Sequence, residues 1–319
     1  MMSRKPRLVV LPPQHLGHEI HVGRNIVVDM ISRNFLLQSE GDCVITGLSD
    51  RRFLYESLLS PHQVFDFSIL PELQHPIQPP KKPSEYLSLS SSVFTKINRF
   101  IDYQIINLSD YALPPTYCTF GTSSEMSNIG YAVPDKYWNE RFVELAQNFN
   151  FSTENEINQL IPKELPLFII IHHRYSASID KLKLILDSLP LELVKIIFTS
   201  RTEDLKKQLP TITNLFFTED LKVYSTLLKD TRCKLLISEW SGAGQVAQYT
   251  LGSQGGIWYY YDHYPDIFNF TMTHKIWELN SKLGNYFNCW DFKIVSGCSS
   301  NHFPSFDSLI NSIKSIKVT

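Results

Sequence analysis

Cysteine is scarce and scattered: Cys43, Cys118, Cys233, Cys289 and Cys298 are five among 319 residues, with no Cys-x-x-Cys pair and no Cys/His cluster at zinc spacing. That pattern excludes a zinc module and leaves the thiols as reduced core residues. Long hydrophobic runs are missing too. No stretch approaches the roughly 18 apolar residues of a membrane span, and the apolar run at 8–11 stops at Pro12 and Pro13, too short for a signal peptide. Neither sign of charge dominates, since 30 basic residues against 32 acidic ones give a formal charge of -2. No overall basic field exists to condense on nucleic acid or anionic lipid, so the chain reads as soluble and cytoplasmic with no nucleic-acid partner.

Three ligand motifs are absent as well. No Gly-x-Gly-x-x-Gly follows a strand, which weakens a nicotinamide or flavin enzyme, and no Gly-x-x-x-x-Gly-Lys-[Ser/Thr] marks a P-loop. Asp-x-Asp occurs nowhere, so a common carboxylate pair for holding a metal on a sugar diphosphate is lacking. No cofactor and no metal are expected.

What the sequence does have is an alternation of strands and helices. A hydrophobic share of 43% with 19% charged residues supports a sizeable core, and 319 residues suggest two domains. In the second half, apolar runs at 167–171, 194–200, 214–218, 234–238 and 256–261 alternate with helical patterns at 178–189, 203–208, 221–228 and 242–251. Strands spaced this way by helices imply a doubly wound parallel sheet. The first half repeats the grammar, with strands at 7–11, 41–48 and 63–67, helices at 24–37 and 51–59, and a Pro-, Lys- and Ser-rich loop at 71–92. The expected division is an N-terminal Rossmann-like domain over 1–155, a linker, a C-terminal Rossmann-like domain over 165–300, and a helix over 301–319 that packs back across the junction.

Ligands of open α/β sheets bind outside the carboxyl ends of strands. In the second half those ends carry His172-His173-Arg174, Thr199-Ser200-Arg201, Thr218-Glu219-Asp220 and Glu239-Trp240-Ser241-Gly242-Ala243-Gly244-Gln245. Ser241 can cap the following helix while Gly242 and Gly244 let a ligand approach its free N–H groups, which suits a diphosphate or a plain cap with tight packing. Arg174 and Arg201 can pair with phosphate oxygens, and Glu239 can accept from sugar or ribose hydroxyls. The aromatic run Trp258 to Tyr261 reads as core, with Tyr261, Asp262 and His263 at its end as contacts to base or sugar. In the first half, the loop after the first strand holds His15, His18, Glu19 and His21. Glu19 and His18 are the candidates for a general base, with His15 behind them.

These features together resemble the GT-B glycosyltransferases, two Rossmann-like domains facing each other across a cleft. The stretch 215–252, with its Ser241-Gly242 turn, is similar to the heptosyltransferase pattern, and His172-His173-Arg174 resembles the His-x-Arg motif of fucosyltransferases whose arginine engages the donor diphosphate. The sequence departs from the heptosyltransferase pattern at Glu239-Trp240, where an Asp commonly precedes the Ser-Gly pair. The resemblance implies metal-independent, inverting transfer of a sugar from a nucleoside-diphosphate donor to a hydroxyl of a glycan, glycolipid or glycoprotein oligosaccharide. By that resemblance the first domain would hold the acceptor and the second the nucleotide-sugar, Arg174 would hold the donor phosphates, and Ser241 with Gly242 would form the phosphate turn; the strand ends add His172, Ser200, Arg201, Glu219, Glu239, Ala243, Gly244 and Gln245 as candidate donor contacts. A nucleotide-sugar epimerase and a non-catalytic scaffold of the same architecture remain alternatives.

Overall fold

The computed structural model describes residues 4–11, 16, 19–46, 49–66, 102–106, 141, 144–145, 148, 167–174, 177–209, 212–239, 241–251, 255–261 and 299–316. The chain divides into two compact units, Met1–Asn150 and Phe151–Thr319. Each is an α/β unit built on a parallel sheet.

In the first unit, β1 (Arg7–Val10), β2 (Cys43–Thr46), β3 (Val64–Asp66) and β4 (Gln104–Ile106) lie in the order β3-β2-β1-β4, all parallel. Leu8, Val9, Val10, Val44, Ile45 and Val64 are fully buried, as expected of strands covered on both faces. A π-helical segment, Glu19–Arg24, runs directly into α1 (Asn25–Ser32). The sequence pattern carries that helix to 37, yet it stops five residues earlier, because Asn34 adopts the left-handed conformation at φ 57°. Phe35 N then donates to Met30 O at 2.7 Å and Asn34 N to Ile31 O at 3.0 Å, the paired bonds of a Schellman stop. The next helix, expected over 51–59, is the short α2 (Phe53–Glu56). Buried Asp42 ties the first strand to its surroundings, accepting from Arg7 N at 2.6 Å, Leu37 N at 2.7 Å and Arg4 Nη2 at 2.6 Å.

The second unit holds six parallel strands: β5 (Phe168–His172), β6 (Val194–Phe198), β7 (Leu215–Thr218), β8 (Cys233–Glu239), β9 (Gly256–Tyr260) and β10 (Ser299–Phe303). Their order is β10-β9-β8-β5-β6-β7. Counted from β5, that is the 3-2-1-4-5-6 order of dinucleotide-binding sheets, with its reversal between β5 and β8. The helices are α3 (Ile179–Ser188), α4 (Thr202–Gln208), α5 (Leu221–Lys229), α6 (Gly242–Thr250) and α7 (Phe306–Ile313). Local chemistry starts several of them: Ser178 accepts from Asp180 N at the head of α3, and Asp220 accepts from Lys222 N and Val223 N at the head of α5. The last helix lays Phe306, Leu309, Ile310 and Ile313 into this unit's own core, beside Leu182, Ile185 and Leu186 of α3. Lys195 on β6 is buried, and its ammonium donates to the carbonyls of Pro190, Leu191 and Leu193 at 2.7, 3.2 and 2.9 Å, which ties down the loop after α3.

Strands β4 and β10 are absent from the sequence reading. The loop at 71–92 and the linker before residue 167 lie outside the described residues.

Candidate functional site

The reversal of strand order in the second unit brings the carboxyl ends of β5 and β8 side by side, and the polar residues at those ends touch. His172 closes β5, paired in register with Ser238 of β8. Its Nδ1 lies 3.1 Å from Ser238 Oγ and 3.1 Å from Ser241 Oγ. Ser238 donates its single hydrogen to Glu239 O at 2.7 Å, which makes Nδ1–H the donor toward both serines. In that arrangement Ser241 accepts from His172 and keeps its own hydrogen for another partner.

Burial, followed by the charges of His173 and Arg174, pushes the His172 imidazole down to about 3. It is therefore neutral at ordinary pH. His173 is also pushed down, by burial first and then, among charges, by Arg201. Each arginine thus lies near enough to one histidine for its charge to be felt. Beneath them Phe198, the last residue of β6, stacks on Tyr224 at 4.1 Å and packs against His172 at 5.7 Å. The Tyr224 hydroxyl donates to Ala243 O at 2.8 Å, fixing the first turn of α6 to α5.

Two expectations about the Ser-Gly turn are corrected. Ser241 does not cap α6: in extended backbone, φ −166° and ψ 170°, its side chain makes no bond to the helix N–H groups and meets His172 instead. Gly244 does not open the backbone to a ligand; a Cβ there would sit 2.5 Å from Tyr259 Cε1 and 2.8 Å from its hydroxyl, so this glycine serves close contact between α6 and β9. Glu219 is exposed, and its Oε1 accepts from Thr202 N at 3.0 Å at the start of α4. Arg201 precedes that helix, 3.8 Å from exposed Asp204, while Ser200 is exposed. Glu239 is fully buried at the end of β8, and Arg174 is half-buried two residues beyond His172. The Gln245 side chain, Trp240, Asp262 and His263 lie outside the described residues. Tyr261 is buried, its hydroxyl 2.7 Å from His302 Nδ1 on β10.

No model of a known protein family matches this chain, and no curated protein matches it. Among the described residues, no helix is long and apolar enough to cross a membrane, and no three His, Cys, Asp or Glu side chains gather as metal ligands would.

The first unit has its own polar cluster after β1. Glu19 is fully buried, and its Oε1 accepts from Thr46 Oγ1 at 3.2 Å and from the Tyr55 hydroxyl. Oε2 is buried and has no hydrogen-bond partner among the described residues. Burial raises this carboxyl from 4.5 to about 7, against the lowering effects of Tyr55, Arg51 and Thr46. His15 and His18 lie outside the described residues, as does the side chain of His21. Thr46, Tyr55 and Ser238 were not singled out from sequence. Reading the residues at the ends of β2 and β8 would have found Thr46 and Ser238, whereas Tyr55 carries no signal beyond a buried helix position.

Proposed function

We propose that the chain is a GT-B glycosyltransferase, moving a sugar from a nucleoside-diphosphate donor to a hydroxyl acceptor by direct, inverting displacement. The observation that carries this reading is the contact of His172 with Ser241 across the reversal of a 3-2-1-4-5-6 sheet. That contact sets the Ser241 hydroxyl beside the N–H groups at the head of α6, which no side chain caps, and Arg174 follows two residues after His172, near enough for its charge to act on the imidazole. Guanidinium and helix N–H groups there would neutralise a diphosphate leaving group without calling on a metal.

In the reaction, the acceptor hydroxyl gives its proton to Glu19 and its oxygen forms a bond to the anomeric carbon. The bond from that carbon to the diphosphate oxygen breaks, and its electron pair departs with the nucleoside diphosphate. Glu19, raised to about 7, is poised to take a proton near neutral pH. Ser241 and Arg174 act on the leaving group, where negative charge grows.

The test is calorimetry of GDP-, UDP-, ADP- and CMP-sugars with the full chain and its Arg174→Ala variant. Losing a charge-assisted contact to phosphate should weaken binding of the preferred donor by about 10- to 100-fold. Equal affinity in the folded variant overturns the assignment. Donor consumption that proceeds equally with and without acceptor favours an epimerase instead.

A further inference from the structure

The Glu19 carboxyl presents two unlike oxygens, and the asymmetry is built by residues far apart in sequence. Thr46 ends β2 and Tyr55 lies on α2, 27 and 36 residues from Glu19, yet both aim their hydroxyls at the same atom, Oε1. Oε2 is as deeply buried and receives nothing among the described residues. A carboxylate has lone pairs enough for about four donors, and a buried oxygen left without one costs free energy. Folding therefore leaves room for one more donor, on one side only.

We infer that Tyr55 and Thr46 are positioning residues that clamp Oε1 of Glu19, so that Oε2 is the atom that receives the proton of the acceptor hydroxyl. This rests on the transferase reading above. Clamping one oxygen fixes the rotation of the carboxyl plane and directs the lone pairs of the other along a single line of approach, which matters because proton transfer needs heavy atoms within about 2.6–3.2 Å.

The surrounding charges are consistent with the roles assigned. Burial, and then Glu19 itself, raises the Tyr55 hydroxyl well above 10, so this group remains a donor and is not itself the base. Arg51 and Asp50 both face Glu19 with opposite effects, and they pair with each other at 2.6 Å. Arg24, which also faces Tyr55, is buried and donates to the carbonyls of Leu54, Leu145 and Asn148. The two hydroxyls are what remains to tune the carboxyl: both favour its ionised form, opposing burial.

The experiment follows the Glu19 carboxyl directly. Full-length protein carrying 13C at Glu side-chain carboxyls is titrated by NMR, with Glu19→Gln identifying the resonance, and the series is repeated in Tyr55→Phe, Thr46→Val and Thr46→Ser. Tyr55→Phe keeps the buried ring and removes only the donor. Its carboxyl midpoint should rise by about one pH unit or more, with a smaller rise in Thr46→Val and recovery in Thr46→Ser. The acid limb of acceptor-dependent turnover should move with it, while donor affinity stays unchanged. A midpoint unmoved in Tyr55→Phe overturns the clamp, whatever turnover does. A midpoint that moves without the limb overturns the role of Oε2 as proton acceptor. Failure of the transferase reading is told apart by calorimetry, where no nucleotide-sugar would bind at all.

Discussion

The stability of the first unit with glutamine at position 19, relative to wild type, should increase as pH rises. The folded chain holds this carboxyl at about 7, whereas the unfolded chain releases its proton near the ordinary 4.5. Between those values the folded state binds more protons than the unfolded state, so stability must fall as pH rises. The preference for the protonated carboxyl is fully present below 4.5 and is lost by about pH 7. The gap corresponds to about 3 kcal/mol, a large part of the 5–15 kcal/mol typical of a domain.

The side chain introduced by Glu19→Gln has the same shape and keeps an oxygen for Tyr55 and Thr46, but it cannot ionise. Its amide nitrogen would stand where Oε2 has no described partner, a cost that does not change with pH. The quantity to measure is therefore the difference between variant and wild type as a function of pH, in which other titrating groups cancel. Guanidinium denaturation from about pH 4 to about pH 8, with amide exchange read on peptides of β1 and β2, separates this unit from the other. The variant's advantage should increase by about 3 kcal/mol between the two ends. A difference that stays flat, or that shrinks as pH rises, refutes the argument that burial dominates this carboxyl.

The remaining predictions concern the second unit. Ser241→Ala should change the denaturation midpoint very little, because the hydroxyl caps nothing and His172 retains Ser238; a loss of the ~1 kcal/mol typical of a missing helix cap would contradict that geometry. The same variant should weaken donor binding several-fold by calorimetry. Gly244→Ala should cost about 1–3 kcal/mol in denaturant, since the new methyl meets the Tyr259 ring at 2.5 Å, and a Tyr259→Val partner substitution should recover part of it. A neutral Gly244→Ala would mean that α6 and β9 are not in the contact described.

Much of the strand set was legible because a strand buried on both faces has to be an uninterrupted apolar run, as 168–171 is. β10 escaped for the opposite reason: Ser-Ser-Asn-His-Phe sits at a sheet edge with one neighbour, β9, and nothing in its composition announces a strand. β4 is only three residues long. The end of α1 is not legible because the apolar pattern continues past Asn34, and a single left-handed residue outweighs it. Alternation of elements gives no strand order, so the reversal between β5 and β8 had to come from the structure. The polar strand ends were visible in the sequence, but their partners were not. Whether Ser241 serves a nearby amide or an imidazole 69 residues away is decided by tertiary geometry, and the same holds for the hydroxyls that converge on Glu19.

Two buried titratable groups, Glu19 at the head of the π-helical segment in the first unit and His172 at the end of β5 in the second, have been driven in opposite directions. His172 is held down to about 3, so giving it a proton at pH 7 would cost about 5 kcal/mol and it would carry one in roughly one molecule in ten thousand. That is too rarely for an imidazole asked to cycle a proton, although a neutral ring is well suited to orienting Ser241 through Nδ1. Glu19 at about 7 is evenly divided between its two forms at the same pH, which is the condition under which a base both accepts and releases protons readily. Under the transferase proposal, proton transfer falls to Glu19 and hydrogen bonding to His172. It follows that the acid limb of turnover should disappear into the baseline of a Glu19→Gln variant but keep its midpoint in His172→Asn. A midpoint that shifts with His172 would mean that the imidazole, and not the carboxyl, carries the proton.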